Sequence, residues 1–215
     1  GADALDLEQG YVTANLAVGN GMEFLIGKFN APLAIENADR NANVFSTYTR
    51  GWVALNPVSV IGAKLYYEFN DHWNFDFAAV NNLNGGFVNS VYPTGIVRLG
   101  LVWGDEGNES YVNLGGAVGP ERNAFSGGSN NAHLDYYGVL WGNWSLGDYW
   151  DVGWEGQFRQ SNALAGSPSP KAMAGQLFVV WQASDVWSLQ FRGASLYDLN
   201  RIRAGTGGAS TTGAN

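Results

Sequence analysis

Residues 145–159, SLGDYWDVGWEGQFR, join a tight polar turn to ten residues that alternate strictly between two kinds of side chain. One set of alternating positions holds Trp150, Val152, Trp154, Gly156 and Phe158, and the other holds Asp151, Gly153, Glu155, Gln157 and Arg159. Because successive side chains of a β-strand point to opposite faces, one face is apolar and the other is charged. Such a strand fits either a soluble β protein with its apolar face in the core or a membrane barrel with its apolar face in lipid.

The composition favours the membrane alternative. Charged residues make up 14% of the 215 residues, against roughly 25% in soluble domains. The 30 glycines are about twice the usual share, which suits strands and tight turns. The hydrophobic content of 46% is high enough for an ordered structure.

Charge and cysteine content exclude several classes of protein. The net charge of -8 argues against a nucleic-acid partner, since phosphates require clustered Lys and Arg. The absence of cysteine removes disulfides and cysteine-ligated metals. The longest apolar run, residues 177–181, is far shorter than the roughly 18 residues of a membrane-spanning helix. A β-barrel is therefore the membrane fold that remains.

The connections between the predicted strands alternate in length. Short polar turns centre near residues 20, 71, 107, 146 and 184, and long polar connections separate them. Outer-membrane barrels have this arrangement, with short turns in the periplasm and long loops outside. We therefore predict an all-β, antiparallel transmembrane β-barrel with about ten strands in residues 1–197. Residues 198–215 are predicted to be a flexible polar tail or an incomplete loop.

Large aromatic side chains accompany the short turns. They are Phe69, Trp73, Trp103, Tyr111, Trp144, Tyr149, Trp150, Trp181 and Trp187. We expect them to form an aromatic girdle at one membrane interface. A soluble β-sandwich has no reason to place such residues beside the turns of one end only.

Four stretches resemble the OmpL-like β-barrel porins of Gram-negative outer membranes. They are LIGKFNAPLAIE (25–36), YYEFNDHWNFDFAAVNN (66–82), GPERN (119–123) and WQASDVWSLQFRGASLYD (181–198). The resemblance implies an outer-membrane location, passive diffusion of small solutes or ions through a water-filled pore, and trimeric assembly. The sequence departs from the family pattern at Ala194, where the family has Glu, and at residues 185–187, where it has Asp-Lys-Leu. These departures concern solute selectivity more than fold.

The predicted topology also carries an expectation about completeness. If the short turns are periplasmic, both ends of the ten predicted strands lie outside, whereas complete barrels normally begin and end in the periplasm. The chain also closes on TTGAN, without a terminal aromatic. We therefore expect an internal portion of a longer porin.

The charged side chains of the strands share the face opposite the apolar one. The predicted pore-lining residues are Lys64, Glu68, Asp76, Arg98, Asp135, Asp151, Glu155, Arg159 and Arg192. Glu36 and Arg122 lie in loops that could constrict the lumen. Charges on a pore wall set ion preference, although such residues can also pair across neighbouring strands and only keep the lumen wet. Their common face fixes the register of the strands in either case.

Enzymatic and metal sites find little support in the sequence. The two histidines, His72 and His133, are expected in a turn and at a strand mouth. Asp39, Asn41 and Asn43 have calcium-loop spacing, but Val44 and Arg50 replace the required Gly and Glu. We predict no catalytic residues, no metal and no cofactor. The alternatives to a porin are a non-conducting barrel that acts as an adhesin or structural partner through its external loops, and a soluble β protein that binds sugars.

Overall fold

A single antiparallel sheet makes up the computed structural model, which describes residues 7–83, 92–121, 133–162, 169 and 171–199. Its ten strands are β1 (Gly10–Leu16), β2 (Met22–Asn30), β3 (Ser59–Glu68), β4 (Trp73–Val80), β5 (Thr94–Trp103), β6 (Ser110–Glu121), β7 (His133–Ser145), β8 (Trp150–Ser161), β9 (Lys171–Gln182) and β10 (Ser188–Asp198). Each strand pairs with its neighbours in chain order. Within the described residues β1 and β10 are the sheet edges and do not pair with each other.

The predicted all-β antiparallel architecture with about ten strands is confirmed. The five short connections occur where the sequence predicts them, beside residues 20, 71, 107, 146 and 184. In the first turn, Gly19 and Gly21 have φ angles of 58° and 102°, which glycine adopts at no steric cost. The sheet is thus an up-and-down meander whose order follows from the alternation of short and long connections.

The two faces of the sheet differ in exposure as the alternation predicts. Leu114, Leu177 and Phe191 are 59%, 54% and 66% exposed on one face. On the other face, Val60 and Ile96 are fully buried. This second face is the interior of the fold. The charged side chains of β8, Asp151, Glu155 and Arg159, lie on it.

Eight of the nine aromatic side chains predicted for the girdle are exposed beside the short turns. They are Phe69, Trp73, Trp103, Trp144, Tyr149, Trp150, Trp181 and Trp187. The rings of Trp150 and Trp181 stack with their centroids 5.6 Å apart. The placement of Tyr111 in the girdle was wrong, because it shares the inward parity of Asn113 and packs against the buried core.

Residues 31–58, which we call the internal segment, occupy part of the interior. The segment contains a short 3-10 turn (Arg40–Ala42) and one helix, α1 (Arg50–Leu55). The helix starts at Thr49, whose side chain accepts a hydrogen bond from the backbone N–H of Trp52, as a good N-cap does. Leu55 is 1% exposed and packs with the inward residues of the strands. The hydrophobic core therefore lies between the internal segment and the sheet.

None of the helices in the described ranges combines the length and the apolar character needed to cross a bilayer.

We expect Gly51→Ala to destabilise the protein by about 1–3 kcal/mol through overpacking. A Cβ at Gly51 would lie 2.5 Å from the Cβ of Ala174 on β9, so α1 would have to move off the sheet. Urea unfolding in detergent micelles measures the effect. Gly156→Ala is the matched control, since a Cβ there meets nothing within 4 Å. Equal stabilities of the two variants would contradict the close docking of α1.

Candidate functional site

The first contact between the internal segment and the sheet is made by Glu155. This carboxylate lies on the inward face of β8 and is 5% exposed. Its Oε2 accepts a hydrogen bond of 2.7 Å from the backbone N–H of Ile35. Its Oε1 accepts bonds from the side-chain amides of Gln157, at 2.5 Å, and Gln176, at 3.3 Å. Glu155 therefore ties the start of the internal segment to β8 and β9.

The second contact joins Glu36 to Arg192 on β10, and we call it the clasp. Arg192 Nη1 donates to Glu36 Oε1 and to the carbonyl of Thr47, both at 2.8 Å. Its Nη2 donates to Thr47 Oγ1 at 2.8 Å. The guanidinium also lies 4.5 Å from the ring centroid of Phe45. Since charge-assisted hydrogen bonds are the stronger kind, one arginine fixes the middle of the internal segment against the last strand.

Other residues of the internal segment also form hydrogen bonds to Glu36. The Oγ1 of Thr49 donates to Glu36 Oε2 at 2.7 Å. The indole N–H of Trp52 donates to the Glu36 carbonyl at 3.0 Å. Glu36 is only 8% exposed, so its charge is compensated by Arg192 and by these neighbours.

The third contact fixes the end of α1. Arg159 on β8 and Asp135 on β7 form an ion pair of 2.7 Å, with side chains 4% and 0% exposed. Arg159 Nη1 also donates to the carbonyl of Leu55 at 3.2 Å. A carbonyl at the end of a helix lacks an intrahelical donor, and Arg159 supplies one.

A separate charged cluster lies on β3–β6, away from these three contacts. Asp76 is 2% exposed and pairs with Lys64 at 3.5 Å and with Arg98. Arg98 also donates to Asn113 Oδ1 at 2.5 Å. Glu23 lines the cavity beside this cluster, so the two cations are balanced by two carboxylates in this part of the interior wall.

Two cavities adjoin the internal segment on the interior face. One, of about 520 Å³, lies towards β7–β10 and reaches Asp151, Gln176 and Arg192. The other, of about 540 Å³, lies towards β3–β6 and reaches Lys64 and Arg98. Tyr111 on β6 lines both cavities. The internal segment thus narrows the interior without filling it, and Tyr111 is a wall residue of both spaces.

The structure places the sequence-predicted site residues as follows. Those on the interior face are Lys64, Asp76, Arg98, Asp135, Asp151, Glu155, Arg159 and Arg192. Glu68, at the end of β3, is exposed and accepts a 2.6 Å hydrogen bond from Tyr66. Arg122 lies outside the described residues. The lining of a conducting pore by these residues stays a prediction.

Asp39 and Asn43, which have the spacing of calcium-loop ligands, form hydrogen bonds with neighbouring residues of the internal segment. Asp39 accepts a hydrogen bond from the backbone of Asn41 at 3.0 Å, and Asn43 accepts one from Asn37 at 2.6 Å. Across the described ranges, no group of three or more His, Cys, Asp or Glu residues is placed to hold a metal ion. His72 lies in the turn after β3, with Nδ1 3.1 Å from the Val102 carbonyl oxygen.

An antiparallel meander with an apolar outer face, an aromatic girdle and a charged interior narrowed by its own chain defines a β-barrel of the porin class. A family model described as "Putative beta-barrel porin-2, OmpL-like" matches residues 2–215. The chain therefore belongs to this OmpL-like porin family, and the resemblance found in the sequence is confirmed. The family implies an outer-membrane barrel and suggests a channel without enzymatic activity. Comparisons with curated proteins and with solved structures gave no match.

A substitution on the apolar outer face of the sheet tests whether this face contacts lipid. We expect Leu114→Arg to lower the stability of the bilayer-inserted protein by about 2–4 kcal/mol, the cost of an arginine near the midplane. Leu114 is 59% exposed and pairs with Leu99 and Leu140 in the middle of the outer face. Urea unfolding in lipid vesicles measures the loss. Leu114→Phe should be nearly neutral, and an equally neutral Leu114→Arg would contradict lipid exposure.

Proposed function

We propose that the protein is a porin of the Gram-negative outer membrane through which small solutes or ions diffuse passively. The observation that carries the proposal is the pair of cavities that flank the internal segment and share Tyr111. They offer a polar route between the internal segment and the sheet. The apolar outer face contacts lipid in this proposal, and the protomers associate as trimers.

The charges along this route are mixed. Lys64 and Arg98 stand beside Asp76 in one cavity, and Asp151 lies beside the Glu36–Arg192 pair in the other. Pore charges set ion preference by favouring one sign. Since neither sign dominates here, we expect weak ion selectivity.

Single-channel recording in planar bilayers tests the proposal. The wild-type protein should give stepwise currents. Tyr111→Ala should raise the conductance, because it removes a half-buried ring that lines both cavities. Tyr136→Ala is the control, since Tyr136 lies on the exposed face of β7 at 39% exposure and should leave the conductance unchanged.

A second candidate function is a non-conducting barrel that acts as an adhesin or structural partner. The burial of the internal segment favours this function, because a segment packed inside the barrel obstructs the lumen. Its side chains Leu33 and Leu55 are 0% and 1% exposed. A folded, inserted wild-type protein without stepwise currents would support this function and would exclude the porin.

A further inference from the structure

The cavity towards β7–β10 has a lining that suits a particular class of solute. It lies between residues 42–45 of the internal segment and the short-turn halves of β7–β10. Its volume of about 520 Å³ falls in the range of small-molecule sites, which is roughly 300–1,000 Å³. The cavity is therefore large enough to hold a solute as well as to pass one.

Most of the charge around this cavity is already neutralised. Arg192 is engaged by Glu36 and by Thr47, and its guanidinium lies against Phe45. A free anion would have to displace Glu36 from Arg192. A cation would find one uncompensated carboxylate, Asp151, in the same wall as an arginine. The electrostatics of this wall thus disfavour an anionic solute.

Two oxygen acceptors in the cavity wall have no donor among the described residues. Gln176 is 8% exposed, and its Oε1 is buried without a hydrogen-bond partner. Asp151 accepts bonds from Ser145, at 2.5 Å, and Asn143, at 3.3 Å, both on Oδ1. Its Oδ2 has no donor among the described residues. Because an unpaired buried acceptor is costly, Gln176 Oε1 calls for a hydroxyl donor, and the half-buried Asp151 can accept a second one.

The other side of the cavity is apolar and aromatic. Phe45 and Phe178 meet edge to face with their centroids 5.9 Å apart, and Tyr111 lies beside them. The ring of Phe178 sits over Gly153, where a Cβ would lie 2.0 Å from the ring. Glycine on β8 thus makes room for this aromatic wall, which offers a surface to the C–H face of a ring-shaped solute.

We propose that this cavity is a binding site for a neutral polyhydroxylated ring, that is, a mono- or disaccharide. Hydroxyl groups donate to Gln176 Oε1 and Asp151 Oδ2, and the C–H face packs on Phe45. The proposal deepens the proposed function, because it names a solute class for the same interior route. Saccharides passing through the pore would bind transiently here and would travel faster than other neutral solutes of their size.

Calorimetric titration of the detergent-solubilised full chain with maltose tests the proposal. Maltose should bind, and a polyethylene glycol of equal hydrodynamic radius should not. Gln176→Met keeps the side-chain length and removes the unpartnered acceptor together with the 3.3 Å bond to Glu155, so it should weaken binding roughly tenfold, the equivalent of about 1.4 kcal/mol. Gln160→Met, on the same sheet but outside this cavity, should bind maltose like the wild type.

Phe45→Ala provides a second variant should Gln176→Met not fold, and it should also weaken binding. Absence of maltose binding by the wild type, or unchanged binding by a folded Gln176→Met or Phe45→Ala variant, would overturn the proposal. Stepwise ion currents without maltose binding would contradict the saccharide site and would still support the porin function. Maltose binding without any current would contradict the porin function and would still support the saccharide site.

Discussion

Replacing Arg159 with Met should lower the free energy of unfolding by about 3–5 kcal/mol, the usual cost of removing one partner of a buried ion pair. Asp135 is fully buried and Arg159 is 4% exposed, so Arg159→Met leaves a carboxylate without its counter-ion and without access to water. The carbonyl of Leu55 loses its donor at the same time. We therefore expect the end of α1 to detach as well.

Equilibrium unfolding by urea in detergent micelles measures this loss. The double variant Asp135→Leu with Arg159→Met should recover most of the stability, because an apolar pair of similar volume often replaces a buried ion pair without loss. Recovery would show that the cost comes from the stranded charge. A single variant as stable as the wild type would contradict the burial of the pair.

Arg192→Ala should release the internal segment and increase the conductance. The substitution removes the three hydrogen bonds of the clasp, and a bond to a charged group contributes about 1.5–3 kcal/mol. Because about 1.4 kcal/mol is a factor of ten in an equilibrium, the loss of even one such bond makes the undocked segment about tenfold more populated. Single-channel records should show larger and noisier currents.

Two further variants make the clasp experiment specific. Glu36→Gln should change the conductance in the same direction but less, because it removes the carboxylate partner of Arg192 and leaves the two bonds to Thr47. The double variant should add little to Arg192→Ala, because the two substitutions share the Glu36–Arg192 pair. Arg40→Ala is the control: Arg40 lies 5.2 Å from the ring centroid of Tyr48 within the internal segment itself. Conductance changes of equal size in Arg40→Ala and Arg192→Ala would contradict a clasp at β10.

The strands were predictable because the alternation of side chains is a local signal. Trp150 and Asp151 are adjacent, and the period of two assigns them to opposite faces of β8 without knowledge of the rest of the chain. The same period places Glu155 and Arg159 together on the inner face. The short turns were equally predictable, since GNG at residues 19–21 favours positive φ.

The arrangement of the interior was not predictable to the same degree. Glu36 and Arg192 are 156 positions apart, and no local pattern indicates that they meet. The helix α1 has only a short signal, a Thr49 cap followed by Trp52 and Leu55 three positions apart. Its six residues are too few for an amphipathic period to stand out. Packing against the sheet, rather than helix propensity, stabilises it.

Tyr111 illustrates a conflict between two local signals. Its position beside a short turn indicates the aromatic girdle, whereas its parity with Asn113 indicates the interior. The structure follows the parity, because a strand residue cannot change faces without a slip in register. Proximity to a turn is therefore the weaker guide to the orientation of an aromatic side chain.

In the porin that we propose, solutes pass between the internal segment and the sheet, beside Tyr111. Because the chain has no cysteine, Tyr111→Cys creates a single reactive thiol in an otherwise inert protein. Its reaction with a charged thiol reagent during single-channel recording should reduce the current. The same reagent on Leu140→Cys, which is on the outer face at 42% exposure, should leave the current unchanged. An undiminished current through labelled Tyr111→Cys would contradict the account.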